Sequence, residues 1–443
     1  MTASRRRAPL WYEIGWRIAL PFALGRLWWR GRKEPGYRRH VPERLGRYAP
    51  DADPRPVIWI HAVSVGETRA AQPLVAGLLA AYPDHRLLLT HMTAAGRETG
   101  HTLFGDKVAQ VYLPYDAAFA VERFFETFRP RFGLLLETEI WPNLVLRGNA
   151  RGIPLFLVNA RLSQRSADRY ARLPDLTRAT LNALAGISAQ NRADAERFTA
   201  LGARDVVVAG NVKFDIDAPP GNRDRADRMR EWLGTERTVW VAGSTRDGEE
   251  ELLVDAMRRS PLPPQSLLVL VPRHPQRFDE VAALLDRERI AYARRSAARP
   301  VLREVQVVLG DSMGEMFAYY AAADVAFVGG TLLPLGGQNL IEPLAVGTPV
   351  VVGPSTFNFA EVARGAVAAG AALQVGNADD VVGRVRDLLS DGKRRRQMAE
   401  AGHALLAAHR GATLRTLQWI TTRLATTSHR AAASATPGET ARR

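Results

Sequence analysis

The chain has 443 residues, 46% of them hydrophobic, a net charge of +14 and no cysteine. That length points to two or three domains with sizeable cores, and the missing thiols exclude disulfide frameworks and thiolate metal sites. The charge is uneven: residues 1–40 hold ten Arg/Lys against two Glu, leaving +6 on the other 403, which favours one local anionic surface over a nucleic-acid-coating protein.

Pro9 to Trp29 is rich in Trp, Leu and Ile, and Arg30-Gly-Arg-Lys33 follows. Glu13, Arg17 and Arg26 interrupt the stretch. It therefore falls short of the roughly 20 apolar residues that cross a bilayer. Pro21 is expected to break or kink a helix there. No small-residue cleavage site follows, as a signal peptide would require. Trp11, Trp16, Trp28 and Trp29 beside arginines match interfacial anchors, so residues 1–40 are expected to lie on an anionic membrane face. The alternative is a helix packed on the protein body with solvated arginines.

From residue 55 short apolar runs alternate with helical periods. The strand-like runs are Val57–Val63, Arg86–Met92, Val108–Leu113, Phe132–Glu137, Ile153–Asn159, Gly186–Gln190 and Val206–Gly210. Helical segments such as Arg69–Tyr82 and Ala117–Phe128 separate them. Continuous apolar runs mark strands buried on both faces of a parallel sheet. Pro219-Pro-Gly-Asn222 marks a linker, taken as 216–235. A second series follows: Thr238–Ala242, Ser266–Pro272, Val305–Gly310, Val325–Val328 and Pro349–Val352. The expected fold class is α/β, with two Rossmann-like doubly wound parallel-sheet domains facing a central cleft, at 41–215 and 236–410. A helix over 411–427 and a disordered tail over 428–443 complete the chain.

Ligands in such sheets bind beyond the carboxyl ends of the strands. Ser64-Val-Gly-Glu67 sits at one such end, Glu137-Thr-Glu-Ile-Trp-Pro-Asn143 at another, and Asn211-Val-Lys213 at a third. In the second series the strand ends carry Gly243-Ser244-Thr245, Arg273-His-Pro275, Asp311-Ser-Met-Gly-Glu315 and Gly329 to Pro343. The last stretch holds two glycine pairs, the second (Gly336, Gly337) read as opening a helix that carries Asn339 and Glu342. Bare glycine amides and a helix start suit a phosphate, and Glu342 suits ribose hydroxyls. Plain turn chemistry is the alternative. Asp215-Ile-Asp217 matches Asp-x-Asp, the metal–diphosphate pattern, but opens the linker and is discounted.

Together these pieces resemble the 3-deoxy-D-manno-octulosonic acid (Kdo) transferase family over nearly the whole chain. The matching segments are His61-Ala-Val-Ser-Val-Gly-Glu67, Glu137 to Asn143, Asn159-Ala-Arg-Leu-Ser163, Lys213-Phe-Asp215, Val271-Pro-Arg-His-Pro275, Gly310 to Glu315, Gly336-Gly-Gln-Asn339 and Gly353-Pro-Ser-Thr-Phe-Asn-Phe359. Gln338 departs from the His common in related chains, so a protonated imidazole is unavailable there. The resemblance implies a GT-B fold, a CMP-Kdo donor, the tetra-acylated lipid A precursor (lipid IVA) as acceptor, inversion at the anomeric carbon and release of CMP. It also implies no cofactor, no active-site metal, no nucleic-acid partner, and a place on the cytoplasmic face of the inner membrane of a Gram-negative bacterium.

By the same resemblance, Glu67 is the general base, and Glu137 and Lys213 stabilise the transition state. Pro272, Arg273, Met313, Gly314, Glu315, Asn339, Leu340, Ile341 and Glu342 hold the donor. Ser244, Thr245, Gly336 and Gly337 form a secondary phosphate loop. Glu67 near a helix start is expected to stay ionised at neutral pH. The bland alternatives are an N-terminal helix cap at Glu67, a structural ion pair between Glu137 and Lys213, and capping of the next helix by Ser244, Thr245, Asp247 and Glu249. Two other functions compete: a UDP-dependent GT-B transferase or epimerase, and a non-catalytic membrane lipid-binding protein.

Overall fold

The computed structural model describes residues 7–32, 34–50 and 53–435. Residues 1–6 and 33 of the expected membrane segment, and 436–443 of the expected tail, lie outside the described residues. The chain divides into one unit of residues 1–215 and 410–443 and another of residues 216–409.

The first unit is a parallel sheet of β1 (Val57–His61), β2 (Arg86–His91), β3 (Val108–Tyr112), β4 (Phe132–Leu136), β5 (Leu155–Ala160), β6 (Gly186–Ala189) and β7 (Val206–Val208). Its strand order is β3-β2-β1-β4-β5-β6-β7. Alternation along each strand feeds two cores. Val57, Trp59, Leu88 and Leu135 pack on one face, and Ile58, Ile60, Leu87, Leu89, Leu134 and Leu136 on the other. Burial on both faces is why the runs are continuously apolar. The order reverses between β1 and β4, and their carboxyl ends flank the crevice where doubly wound sheets take ligands.

The second unit repeats the plan with β8 (Val239–Thr245), β9 (Leu267–Pro272), β10 (Tyr292–Arg294), β11 (Val307–Leu309), β12 (Val325–Val328), β13 (Val350–Val352) and β14 (Ala372–Gln374), in the order β10-β11-β9-β8-β12-β13-β14. Here Trp240, Leu268 and Leu270 face one core and Val239, Val241, Leu267 and Val269 the other. The switch point lies between β8 and β12.

Several expectations change. Asn222–Leu233 is a helix inside the second unit, not linker. The Arg230 guanidinium fastens it to the Ala322 carbonyl and to Asp324. Arg69–Tyr82 is two helices, Val65–Ala70 and Gln72–Ala81. Pro73 at the start of the second cannot donate to the first, so the ladder breaks there. The C-terminal helix runs from Ala412 to Ala435, so residues 428–435 are helical rather than disordered. It packs back on the first unit through Ala412, Ile420 and the Trp419–Phe156 ring contact. Asp215 accepts hydrogen bonds from the Gly411 and Thr413 amides at this helix start. The first acid of the Asp-x-Asp pattern is therefore a helix cap.

The N-terminal segment is one helix, Leu10–Arg30, which continues through Pro21. Pro21 and Arg17, whose carbonyl loses its amide donor, are both exposed, so the missing hydrogen bond falls at a site open to water. Tyr12, Glu13 and Trp16 dock the helix on the first unit: Tyr12 donates to Asp116 at 2.8 Å, Glu13 pairs with Arg147 at 2.7 Å, and Trp16 stacks on Tyr115. Leu10, Trp11, Ile14, Ile18, Phe22, Trp28 and Trp29 remain exposed. One face of the helix therefore packs on the protein body, as the alternative reading expected, while an apolar stripe at helical spacing faces outward.

Candidate active site

Glu67 stands one turn into the helix Val65–Ala70, just beyond β1. Its Oε2 accepts the Val63 amide at 2.7 Å and its Oε1 accepts the Ser64 hydroxyl at 3.1 Å. This inverts the usual capping box, because the Ser64 side chain caps no amide and instead donates to the acid. The dipole argument for an ionised Glu67 is overturned. Burial, and then the neighbouring Glu137 carboxylate, push the Glu67 carboxyl from the ordinary 4.5 to about 8, against the pull of the Val63 amide. One short helix start does not compensate for lost hydration beside a second carboxylate.

Glu137 follows β4 in the left-handed region, at φ 60°. Its Oε1 lies 2.7 Å from Lys213 Nζ, and both side chains are largely shielded. Lys213 sits on the 3-10 turn Val212–Phe214. Buried Asn159, at the end of β5, fixes this turn by accepting the Val212 amide at 3.1 Å, and Asn211 accepts the Lys213 amide at 3.0 Å. Glu139 is the third acid here. Its Oε2 accepts the Trp141 indole N–H at 2.7 Å and lies 3.9 Å from Nε2 of fully buried His61. The structure thus gathers Glu67, Glu137 and Lys213 at the β1–β4 switch point. Sequence reasoning gave no role to Asn159, His61 or Glu139. The segments that carry the family resemblance contained all three, and their place beside strand ends was the available signal.

In the second unit the glycine stretch is arranged otherwise than expected. Buried Glu249 accepts the amides of Gly330, Thr331 and Leu332 as well as that of Arg246. The first glycine pair thus wraps a carboxylate of the protein itself. Gly329 passes so close to β8 that a Cβ would lie 2.5 Å from the Ser244 carbonyl oxygen. The Gly336 amide donates to Ser355 Oγ and the Gly337 amide to the Gly330 carbonyl. Neither amide is open to a phosphate in this conformation, which corrects that reading. The helix begins only at Ile341, and Asn339 precedes it, its side chain accepting the Ile341 amide and donating to Glu342. Thr245 is buried with its hydroxyl on Glu250, and Ser244 is half-buried at φ 57°.

Among the expected donor contacts, Arg273 and Glu342 are both half-buried and near enough to the buried Tyr320 hydroxyl for each to act on it electrostatically. Met313 is 60% exposed and Gly314 holds the left-handed turn beside it. Burial raises the Glu315 carboxyl, but Arg295 and the Ser312 hydroxyl outweigh it and hold the carboxyl below its ordinary value. Leu340, Ile341 and Pro272 are buried, and the Ile341 amide is taken by Asn339.

Comparison with known proteins gives this architecture a family. The family described as 3-deoxy-D-manno-octulosonic-acid transferase (kdotransferase) matches residues 39–216, and glycosyl transferases group 1 matches 287–404. The 3-deoxy-D-manno-octulosonic acid transferase of Bordetella pertussis is 44% identical over 421 residues, covering 92% of this chain and 97% of its own. This chain belongs to the Kdo transferase family. The Haemophilus influenzae member is 39% identical, covering 87% of this chain and 91% of its own. The transferase is therefore a glycosyltransferase. The Anabaena protein HepE in complex with UDP superposes with a TM-score of 0.54 at 15% identity, covering 83% of this chain and 99% of that one. That likeness concerns the fold alone, which is GT-B.

Proposed function

We propose that this transferase moves Kdo from CMP-Kdo to the tetra-acylated lipid A precursor, inverting the anomeric carbon and releasing CMP. The carrying observation is Glu67, a carboxyl raised to about 8 beside an ion pair at the β1–β4 switch point. A base is most effective when its pKa lies near the working pH, and this one is far more basic than an ordinary glutamate. In the reaction an acceptor hydroxyl oxygen bonds to the anomeric carbon while the bond from that carbon to the CMP phosphate oxygen breaks. The electron pair of that bond leaves with CMP, and the hydroxyl proton passes to Glu67. Lys213, held by Glu137, supplies positive charge toward the donor carboxylate or the departing phosphate, so no metal is required. Arg273, Met313 to Glu315, and Asn339 to Glu342 bind the donor.

The acceptor is a membrane lipid, and the outward stripe of Leu10–Arg30 suits an interface. Phe22 is 75% and Trp29 63% exposed, and arginines flank them. Among the described residues no helix is long and apolar enough to cross a membrane. The proposed reading is a helix lying on the cytoplasmic face of the inner membrane. The test incubates purified protein with the lipid precursor and either CMP-Kdo or UDP sugars, and weighs the products by mass spectrometry. Gain of Kdo with the CMP donor alone is the expected result. Transfer from UDP sugars, or none from CMP-Kdo, overturns the proposal.

A further inference from the structure

A cavity of about 210 Å³ opens inside the first unit at Ile140-Trp-Pro142, the segment that follows Glu139. Tyr12 and Trp141 wall it, Leu176, Leu181 and Leu201 line it, and Arg169 stands at its rim. Four of its polar side chains are already engaged. The Tyr12 hydroxyl donates to Asp116, the Trp141 indole to Glu139, and the Thr177 and Thr180 hydroxyls to the carbonyls of Tyr170 and Leu176. These groups present carbon rather than open hydrogen-bond positions to an occupant. The volume lies below the roughly 300–1,000 Å³ of pockets for drug-sized ligands, which argues for a narrow chain over a sugar or nucleotide.

Charge defines the other end of the occupant. Residues 161–178 hold five arginines against two aspartates, and Arg165, Arg169 and Arg172 are exposed. A hydrocarbon slot beside a basic rim matches an anionic amphiphile. The slot is also continuous with two features already described: Trp141 joins it to the Glu137–Glu139 loop, and Tyr12 belongs to the helix bearing the outward apolar stripe.

We infer that this cavity takes one acyl chain of the acceptor, with the acceptor's anionic groups on the arginine rim. The inference rests on the proposed reading of the acceptor as an anionic acylated lipid and adds the place where a chain is gripped. Docking a chain here brings the attached sugar toward Glu139 and its neighbours, so the slot selects for acylation.

The test uses the full chain and octyl phosphate below its micelle concentration, with binding read by calorimetry. Inorganic phosphate and octyl glucoside serve as controls lacking the chain or the charge. Octyl phosphate is expected to bind more tightly than either control. Thr180→Trp, which fills the slot, and Leu173→Glu, at its exposed mouth, are each expected to weaken binding about tenfold or more. The same variants raise KM for the acylated acceptor by a similar factor while kcat/KM for a de-acylated acceptor is unchanged. Leu173 is 48% exposed, so that variant folds even if the tryptophan does not. Equal binding of octyl phosphate by Leu173→Glu and parent, or equal binding of inorganic phosphate and octyl phosphate by the parent, overturns the inference. The calorimetric arm needs no turnover, so it separates this inference from a failure of Kdo transfer itself.

Discussion

The protonation of Glu67 sets the pH dependence of the reaction. With its carboxyl at about 8 in the free protein, roughly one molecule in ten carries the ionised base at pH 7, and about one in a hundred at pH 6. Initial rates of CMP release, measured at constant ionic strength from about pH 5.5 to 9.5, should show kcat/KM rising about tenfold per unit and levelling near pH 8. Glu137→Gln removes the like charge that ranks after burial among the causes of the shift, and it also leaves Lys213 without its carboxylate. Both changes favour ionised Glu67, so the break moves to lower pH, by about one unit. Stability carries the same signature. Because the folded value lies above the unfolded 4.5, the Glu67 contribution is intact below 4.5 and is lost as pH rises through 8. Glu67→Gln, which does not titrate, should therefore gain unfolding free energy over the parent increasingly from pH 5 to 8, by about 1–3 kcal/mol at the upper end. A kcat/KM that is flat above pH 6 refutes the reasoning, as does a break that Glu137→Gln leaves in place.

Lys213→Met should lower kcat about 10²–10³-fold and move the pH break upward, since Glu137 then lies unneutralised beside Glu67; stopped-assay kinetics read both. Glu249→Ala leaves the Gly330, Thr331 and Leu332 amides without their acceptor and should cost about 3–5 kcal/mol in denaturant unfolding. The triple change Trp11→Ser, Ile18→Ser, Phe22→Ser alters exposed positions alone. It should weaken sedimentation with anionic vesicles by about tenfold or more while shifting unfolding by only about 1 kcal/mol.

Much of the sheet was legible because strands buried on both faces read as unbroken apolar runs. β10 and β14 were missed for the complementary reason: Tyr292-Ala-Arg294 and Ala372-Leu-Gln374 are three-residue edge strands with partly exposed side chains and no such run. The position of Glu67 followed from its place after a strand, but its protonation did not. That depends on Glu137 and Glu139, some 70 residues away in sequence, which the pairing of β1 with β4 brings alongside. The glycine stretch misled in a similar way. Its composition matches a phosphate cradle, yet the anion it holds is Glu249, whose partnership with Gly330 no local pattern encodes. Asn159 shows the limit most clearly, since a buried asparagine holding the Lys213 turn looks in sequence like a strand end and nothing more.

The most direct test is a single turnover of CMP-Kdo with the lipid precursor by Glu67→Ala, followed by mass spectrometry, with CMP-Kdo affinity measured alongside. Loss of Kdo-bearing product at unchanged donor affinity is the predicted result. Product formed at the parental rate would contradict the assignment of the acceptor proton to this carboxyl.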